Sequence, residues 1–524
     1  MRPLTEAATT LARLVRAHAS GTTTTSTSAD RAAASAIGYW VPGDSVRVMH
    51  APAEFYATLK QNIASARRRI VLSALYIGQG ETDLISTLHD ALTANPNTKL
   101  TILIDCLRGT RGADTNSVTA LAPLLDAFPH RVTLSLYHTP ELHGWKKKLV
   151  PPRFNETIGL LHFKLFATDD TLIISGANLS HDYFTNRQDR YMQIADARVT
   201  QHYVRLVDAV ADLSYRVTAG AAGSQTTITA PTPSPVDAPA AYKRHARAKL
   251  IPTLTVPPHD TPKPKDPSLD TLIVPAFQAS PLGIHQDQEY MAGLWAGLRR
   301  RSPPPTTDHP PPPPALPWSL YFTSGYFNMT RPVASAMLAT GAAATHILTA
   351  SPAANGFFGS RGVSRHLPNA YTWLAVRFLR HTEDHQKRQI QDSNSGDSKC
   401  GNVVLSEYER PDWTFHAKGL WVHATFSSSS KTESATDSNA LSPPELLLPA
   451  VSVVGSSNFG HRSTHRDLEA QAYVLTTNPA LRRSLQREID ELWRHARRVS
   501  VAELESRNVP WATKLAAWVV KNML

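Results

Sequence analysis

The chain has 524 residues, of which 42% are hydrophobic and 19% charged, which indicates a globular protein with room for two domains of roughly 150 to 200 residues. Its 54 Lys and Arg exceed its 43 Asp and Glu, and the formal net charge of +11 favours partners that carry phosphate. Two cysteines exclude a disulfide framework, and no apolar run reaches the roughly 18 residues that a membrane-spanning helix needs.

The first 36 residues are rich in Ser and Thr, with four arginines and two acids. This composition predicts a disordered segment and is typical of a mitochondrial targeting sequence. An untargeted, disordered N-terminus is the alternative.

Residues 37–218 show the first of two similar patterns of strands and helices. Apolar spacing predicts a short strand at 46–49, a helix through 55–63 and a strand at 70–77. A helix at 84–92 and a strand at 100–105 follow. Strands that alternate with helices predict an α/β sandwich.

The same order of elements returns in residues 271–524, with strands predicted at 272–277, 320–326 and 346–350. Between the two patterns, residues 219–270 are dense in Ala, Thr and Pro, which predicts a flexible linker. Three polar or proline-rich stretches inside the second pattern are predicted to be surface loops: 301–314, 381–398 and 427–444.

Each half also contains a His-x-Lys tripeptide that is followed by an asparagine and an acid. In the first half these are His162, Lys164, Asn178 and Asp189, with Asp169 five residues after the lysine. In the second half they are His416, Lys418, Asn458 and Glu469. In both halves the acid stands eleven residues after the asparagine, so the two sets match in spacing as well as in chemistry.

A phosphodiester transfer without a metal needs the groups that these two sets supply. One imidazole attacks phosphorus while the other protonates the departing oxygen. The lysines and asparagines stabilise charge on the phosphoryl oxygens, and an acid bound to each imidazole holds its tautomer. A single His-x-Lys is weak evidence, whereas two copies with shared spacing indicate one composite site.

The paired motifs resemble the HKD motifs of the phospholipase D superfamily. Within it, the stretches 176–191, His416-Ala-Lys-Gly-Leu-Trp421 and Arg108-Gly-Thr-Arg111-Gly are similar to the eukaryotic phosphatidylglycerophosphate synthase family. The resemblance implies two fused α/β sandwich domains that share one active site. It also implies CDP-diacylglycerol and glycerol 3-phosphate as substrates, and no metal or organic cofactor.

By the same resemblance, His162 forms a phosphatidyl-histidine and His416 protonates the leaving CMP, and the reverse assignment is the alternative. The second motif departs from the superfamily pattern, because the residue five after Lys418 is His423 and no aspartate stands there. This departure weakens the expectation of a symmetric site and leaves the expected chemistry in place.

Arginines are the expected ligands of the acceptor's phosphate, since a guanidinium binds it with two hydrogen bonds. Arg108 and Arg111, just beyond a predicted strand, are the main candidates, and Arg361 is a weaker one. Arg462 is expected to orient an acid, either Asp467 or Glu469.

A diacylglycerol substrate implies peripheral binding to a membrane, with the inner mitochondrial membrane as the expected location. Residues 510–524 form either an interfacial helix or a helix packed on the second domain. Two other readings remain: a phospholipase D-type enzyme that acts on another phospholipid, and a nuclease. No nucleic-acid partner is expected, because aromatic residues are not interleaved with basic ones in any stretch.

Overall fold

The structure is a computed structural model that describes residues 37–112, 114–151, 154–220, 226–257, 266–298, 318–392, 401–424, 448–511 and 513. The predicted targeting segment, two of the predicted surface loops (301–314 and 427–444) and most of 510–524 lie outside these residues. Within the described part of the chain, no helix has both the length and the apolar composition that crossing a bilayer requires.

The strands lie in two large mixed sheets and one small sheet. In chain order they are β1 (Tyr39–Val41), β2 (Val46–Met49), β3 (Arg69–Ala74), β4 (Lys99–Asp105), β5 (Val132–Tyr137), β6 (Lys164–Thr168), β7 (Thr171–Ser175), β8 (Arg187–Gln188), β9 (Tyr191–Ala195), β10 (Tyr215–Thr218), β11 (Thr227–Thr229), β12 (Thr271–Ala279), β13 (Ile284–His285), β14 (Ser319–Ser324), β15 (Ala344–Ala350), β16 (Asn402–Tyr408), β17 (Thr414–Phe415), β18 (Lys418–Ala424), β19 (Leu448–Gly455), β20 (Glu469–Thr476) and β21 (Ala496–Arg498).

The helices pack on the faces of the two large sheets. In chain order they are α1 (Pro52–Ser65), α2 (Thr82–Ala94), α3 (Cys106–Gly109), α4 (Ser117–Ala127), α5 (Gly144–Leu149), α6 (His181–Thr185), α7 (Ala197–Asp212), α8 (Pro239–Leu250), α9 (Gln286–Leu298), α10 (Arg331–Leu338), α11 (Leu367–Asp392), α12 (His461–His465), α13 (Pro479–Trp493) and α14 (Val501–Ser506).

The two large sheets share one strand order. The first contains the run β5-β4-β3-β6-β7-β9-β2, and the second contains the run β16-β15-β14-β18-β19-β20-β12. In both runs the first three strands are parallel to one another, and each later strand is antiparallel to the strand before it. The predicted α/β class, with two sandwich-like halves, is therefore confirmed.

Alternating apolar side chains let each sheet bury both of its faces. In β6, Leu165 and Ala167 face a core shared by the two halves, while Phe166 faces the outer helices α1, α2 and α4. In β18, Trp421 faces the shared core and Leu420 faces α9 and α11. Helices α7 and α13 contribute to the shared core, so the two halves pack against each other through a continuous apolar layer.

The segment predicted as a flexible linker contains ordered structure. Helix α8 lies within 219–270 and packs on the shared core through Tyr242, Ala246 and Leu250, all fully buried. These residues recur every four positions and form one helical stripe. The prediction of flexibility was wrong for this helix because it relied on the overall Ala, Thr and Pro content and overlooked that periodicity.

Two further boundaries differ from the prediction. Strand β1, which was assigned to the first half, pairs with β12 of the second sheet through Tyr39 and Ile273. The predicted surface loop at 381–398 is helical as far as Asp392, where α11 ends. Its charged residues suit the exposed face of a long helix as well as a loop, so composition alone did not separate the two.

A buried ion pair ties the first sheet to the second half. Arg190 donates from Nε and Nη2 to the two carboxylate oxygens of Glu488, at 2.9 Å each. The same guanidinium donates to the Val453 carbonyl oxygen at 2.7 Å and lies 3.8 Å from the Trp421 ring centroid. These contacts give Arg190 a structural role between the halves.

We expect Arg190→Met to reduce the free energy of unfolding by about 3–5 kcal/mol, because it leaves the Glu488 carboxylate buried without its cation. Urea unfolding followed by tryptophan fluorescence measures the loss. The double variant Arg190→Met/Glu488→Gln should recover part of it, since the amide is neutral and still accepts from Trp421 Nε1. An unchanged unfolding midpoint for Arg190→Met would contradict this assignment.

Candidate active site

The two predicted residue sets meet between the halves, at the ends of strands. Lys164 begins β6 and Lys418 begins β18. Glu469 begins β20, and Asp189 lies between β8 and β9, directly after Gln188. Because the sheets share one strand order, the same strand ends from both halves face one another across the interface.

The first histidine binds an acid from the other half. Nδ1 of His162 lies 3.0 Å from both carboxylate oxygens of Glu469. The backbone holds the same partners together, because the His162 amide donates to the Leu468 carbonyl oxygen at 2.9 Å. Ser456 donates from its hydroxyl to Glu469 as well.

The second histidine repeats this arrangement in the opposite direction. Nδ1 of His416 lies 2.6 Å from Oδ2 of Asp189, and the His416 amide donates to the Gln188 carbonyl oxygen at 2.8 Å. The parallel pairing of β17 with β8 brings these segments together. Each half thus supplies a histidine to the site and the acid that orients the other half's histidine.

These pairs determine the tautomers and charges of the histidines. A carboxylate at Nδ1 holds the proton there and leaves Nε2 as the basic nitrogen. Burial lowers the pKa of His162, although Glu469 opposes that shift. Burial and Lys418 lower the pKa of His416 well below its usual value. A lowered pKa favours the neutral imidazole, and a neutral Nε2 is the form that attacks phosphorus.

The two acids differ in pKa. The pKa of Glu469 falls to about 2, because His162, Lys164 and its hydrogen bonds outweigh burial. Burial raises the pKa of Asp189 to about 6, although Lys418 opposes the shift. The two halves are thus alike in geometry and unequal in electrostatics.

Both lysines are fully buried beside the histidines. Nζ of Lys418 lies 2.8 Å from His416 Nδ1 and 3.7 Å from Asp189, and Lys164 donates to the His162 carbonyl oxygen. Burial lowers the pKa of both lysines, to about 7 for Lys164. A bound phosphate would favour their charged forms, since an anion raises the pKa of a nearby ammonium group.

The asparagines lie at the same place in each half but differ in their contacts. Asn178 is buried, accepts from the Leu75 amide at 3.3 Å and donates to the Tyr183 hydroxyl at 3.2 Å. The side-chain oxygen of Asn458 is buried and has no hydrogen-bond partner within the described residues. Asn458 is therefore the asparagine with an unsatisfied acceptor oxygen, and only its Nδ2 group could donate to a phosphoryl oxygen.

Asp169, which was predicted to belong to the site, lies away from it. It stands just after β6, at the opposite end from His162, so the length of β6 alone, roughly 13 Å, lies between them. Its carboxylate accepts from the amides of Arg67, Arg68 and Arg69. Its role is to hold the start of β3, which explains why the second half can carry His423 at the equivalent position.

Arg108 and Arg111 line a pocket of about 250 Å³ next to the site. The Glu156 carboxylate forms an ion pair with each arginine, at 3.1 Å from Arg108 and 3.3 Å from Arg111. Arg108 also lies 4.8 Å from the ring centroid of Tyr76, which forms part of the same pocket. Arg361 is exposed and lies before the turn that leads into α11. No contact places it with the other predicted residues.

Two tyrosines contribute contacts that the motif spacing did not reveal. The Tyr183 hydroxyl lies 3.4 Å from His416 Nε2, and the Tyr326 ring centroid lies 5.3 Å from that of His416. Tyr326 lies two residues after β14 and Tyr76 two residues after β3, so they stand at equivalent strand ends of the two halves. The contact of Tyr326 with His416 is visible only in the tertiary structure.

Arg462 pairs with Asp467 at 3.1 Å, as one of the two predicted possibilities. Among the described residues, His162, Asp467 and Glu469 bring potential metal ligands within 4.8 Å of one another. Donors already surround these acids: the Leu160 amide and Arg462 on Asp467, and His162 and Ser456 on Glu469. The two carboxylates therefore already accept hydrogen bonds, and a cation would have to displace these donors.

Comparisons with known proteins identify relatives along most of the chain. No family model matches the chain. It is 36% identical to a human protein named CDP-diacylglycerol–glycerol-3-phosphate 3-phosphatidyltransferase, mitochondrial, over 92% of this chain and 84% of the relative. Proteins with the same enzyme name from chicken and Saccharomyces cerevisiae are 35% and 33% identical, over 92% and 91% of this chain and 84% and 88% of theirs.

The fold also matches that of a solved bacterial protein. A crystal structure of phosphatidylserine synthase from Haemophilus influenzae aligns with a TM-score of 0.65 at 17% identity, over 93% of this chain and 97% of that one. The shared strand order and the paired histidines define a class of α/β transferases with one histidine site between two similar halves. Within it, the chain belongs to the CDP-diacylglycerol–glycerol-3-phosphate 3-phosphatidyltransferase family.

Proposed function

We propose that this protein transfers the phosphatidyl group of CDP-diacylglycerol to glycerol 3-phosphate and releases CMP, through a phosphohistidine intermediate. The observation that carries the proposal is the pair of crossed contacts, His162 with Glu469 and His416 with Asp189. They present two neutral imidazoles with basic Nε2 atoms in one buried site, which two-step displacement at phosphorus requires.

In the first step, Nε2 of His162 attacks the phosphorus that bears diacylglycerol. A P–N bond forms, the bond to the CMP oxygen breaks, and CMP takes the electron pair. His416 supplies a proton to CMP, and the anionic diphosphate raises the pKa of this imidazole so that it holds that proton. Lys164, Lys418 and Asn458 stabilise the charge on the phosphoryl oxygens.

In the second step, a hydroxyl oxygen of glycerol 3-phosphate attacks the same phosphorus. His416 accepts the hydroxyl proton, the P–N bond breaks, and His162 leaves as a neutral imidazole. The product is phosphatidylglycerophosphate. Asp189 and Glu469 keep both imidazoles oriented through the two steps.

The acceptor's phosphate suits the pocket of Arg108 and Arg111. Its dianion competes with the single carboxylate of Glu156 for both guanidinium groups. In this assignment Glu156 keeps the arginines aligned before the acceptor binds.

Arg108→Lys should raise the KM for glycerol 3-phosphate by about 10- to 100-fold while leaving the KM for CDP-diacylglycerol nearly unchanged, since an ammonium group replaces a bidentate contact. Initial rates with each substrate varied in turn measure both constants. Arg361→Lys is the matched control and should change neither. An equal rise in both KM values for Arg108→Lys would contradict the assignment of this pocket to the acceptor.

We further propose that the protein acts in mitochondria at the inner membrane, in the synthesis of phosphatidylglycerol and cardiolipin. The mitochondrial names of the animal relatives support this location. A diacylglycerol substrate requires contact with a bilayer, so we propose peripheral attachment to that membrane.

The direct test is the conversion of CDP-diacylglycerol and glycerol 3-phosphate to phosphatidylglycerophosphate and CMP, with EDTA present. Formation of both products supports the proposal. Release of phosphatidic acid without use of the acceptor would support a phospholipase D-type hydrolase instead. Cleavage of single-stranded DNA without lipid turnover would support a nuclease.

A further inference from the structure

Three large apolar side chains are exposed on one short stretch of the first half. The exposed fraction is 67% for Trp145, 71% for Leu149 and 44% for Phe154. Trp145 and Leu149 are four residues apart in α5 and therefore lie on one face of that helix. Single exposed apolar residues are common, but a group of this size marks a binding surface.

Positive charge surrounds these residues. Lys146, Lys147 and Lys148 occupy the same helix, and none of the three forms an ion pair with an acid in the part of the chain that is described. The fourteen residues between Glu141 and Glu156 include these lysines and one arginine, with no acid. A surface with aromatic, aliphatic and uncompensated basic residues complements anionic phospholipid headgroups and the acyl chains below them.

This stretch leads directly into the site. Two residues after Phe154 comes Glu156, which binds the arginines of the acceptor pocket. The turn that follows is held to the second half, because Arg462 donates to the Glu156 carbonyl oxygen at 3.2 Å. A bilayer bound here would therefore lie against the segment that carries the acceptor pocket.

The second half places another exposed aromatic residue near the site. Phe358 is 66% exposed, and its neighbour Phe357 lies 5.5 Å from the Tyr326 ring, which in turn contacts His416. Exposed apolar side chains thus occur on segments of both halves that lead to the catalytic residues.

We propose that Trp145, Lys146, Lys147, Lys148, Leu149 and Phe154 form a docking surface for an anionic phospholipid bilayer, with Phe358 as a second contact from the other half. The inference rests on the proposed function, since a lipid-linked substrate has to be taken from a membrane. The apolar residues enter the headgroup region and the lysines bind lipid phosphates, which brings the active site to the surface where its substrate lies.

Vesicle co-sedimentation of the full chain tests this surface. Vesicles of phosphatidylcholine with phosphatidylglycerol are compared with vesicles of phosphatidylcholine alone. Lys146→Gln/Lys147→Gln/Lys148→Gln should weaken binding to the anionic vesicles by about 10- to 100-fold and binding to the neutral vesicles far less. Trp145→Ser/Leu149→Ser/Phe154→Ser should weaken binding to both kinds by about 10-fold or more.

Matched variants elsewhere control for general loss of charge and of apolar surface. Lys99→Gln/Lys387→Gln/Arg388→Gln removes three exposed charges, and Ile228→Ser/Ile251→Ser removes two half-exposed apolar side chains. Both should bind vesicles like the unaltered chain. All variants should retain the unfolding midpoint and the activity on short-chain CDP-diacylglycerol in neutral detergent micelles.

All binding measurements are repeated in the His162→Ala background, where docking is independent of chemistry. Loss of vesicle binding in the two surface variants supports the docking surface, even if the unaltered chain fails to make phosphatidylglycerophosphate. Binding of the serine variant equal to that of the unaltered chain overturns it, as does an equal loss in the control variants. Binding to neither kind of vesicle by the unaltered chain also overturns it.

Discussion

His162→Ala and His416→Ala should each lower the rate of phosphatidylglycerophosphate synthesis by about 10⁴-fold or more, because each removes a group that makes or breaks a bond to phosphorus or hydrogen. Their combination should cost little more than either alone, since residues that act as a unit are not additive. His465→Ala, at an exposed histidine near the second motif, is the matched control and should keep full activity.

Covalent labelling separates the roles of the two histidines. With ³²P in the phosphatidyl group of CDP-diacylglycerol and no acceptor, His416→Ala should accumulate a protein label that resists base and is lost in acid. CMP is a weak base and can leave without a proton donor, whereas transfer to the acceptor needs His416 as a base. His162→Ala should carry no label. Label on His162→Ala and none on His416→Ala would reverse the assignment.

Glu469→Gln and Asp189→Asn should each reduce kcat by about 10² to 10⁴-fold with little effect on either KM. An amide can donate to Nδ1 and so favours the tautomer with its proton on Nε2, which removes the basic nitrogen from the site. The loss should therefore approach that of deleting the histidine itself, although the altered residue belongs to the opposite half of the chain.

Asp169→Asn provides the contrast for these two variants. Its carboxylate binds three backbone amides at the start of β3. The substitution should lower the free energy of unfolding by about 1–2 kcal/mol and leave kcat unchanged at a temperature where the protein is folded. If Asp169→Asn lost as much kcat as Glu469→Gln, the crossed acids would not be the ones that orient the histidines.

Much of this architecture could be predicted from local sequence patterns. The strands around 70–77, 100–105 and 320–326 were visible because apolar runs of this length alternate with amphipathic helices. The His, Lys, Asn and acid of each half were visible because their spacing repeats. Helix α8 was not predicted, because the Ala, Thr and Pro content of the segment hid its helical periodicity. The end of α11 was not predicted, because its charged residues are also typical of a surface loop.

The partners of the catalytic groups could not be predicted in this way. Spacing related Asp189 to the first motif and Glu469 to the second, but each acid contacts the histidine of the other half. That exchange depends on how two sheets pack against each other, which leaves no local signature. The same holds for Tyr183, whose hydroxyl reaches His416 across the interface.

The exchange of acids also affects how the protein becomes active during its synthesis. The ribosome completes the first half well before Glu469 emerges, so His162 is made without the carboxylate that orients it. Until the last strands fold, neither half holds a complete histidine–acid pair. A truncated or partly folded chain would therefore lack the means to form a phosphatidyl intermediate and lose it to water, and the capacity for chemistry appears only when both halves have docked.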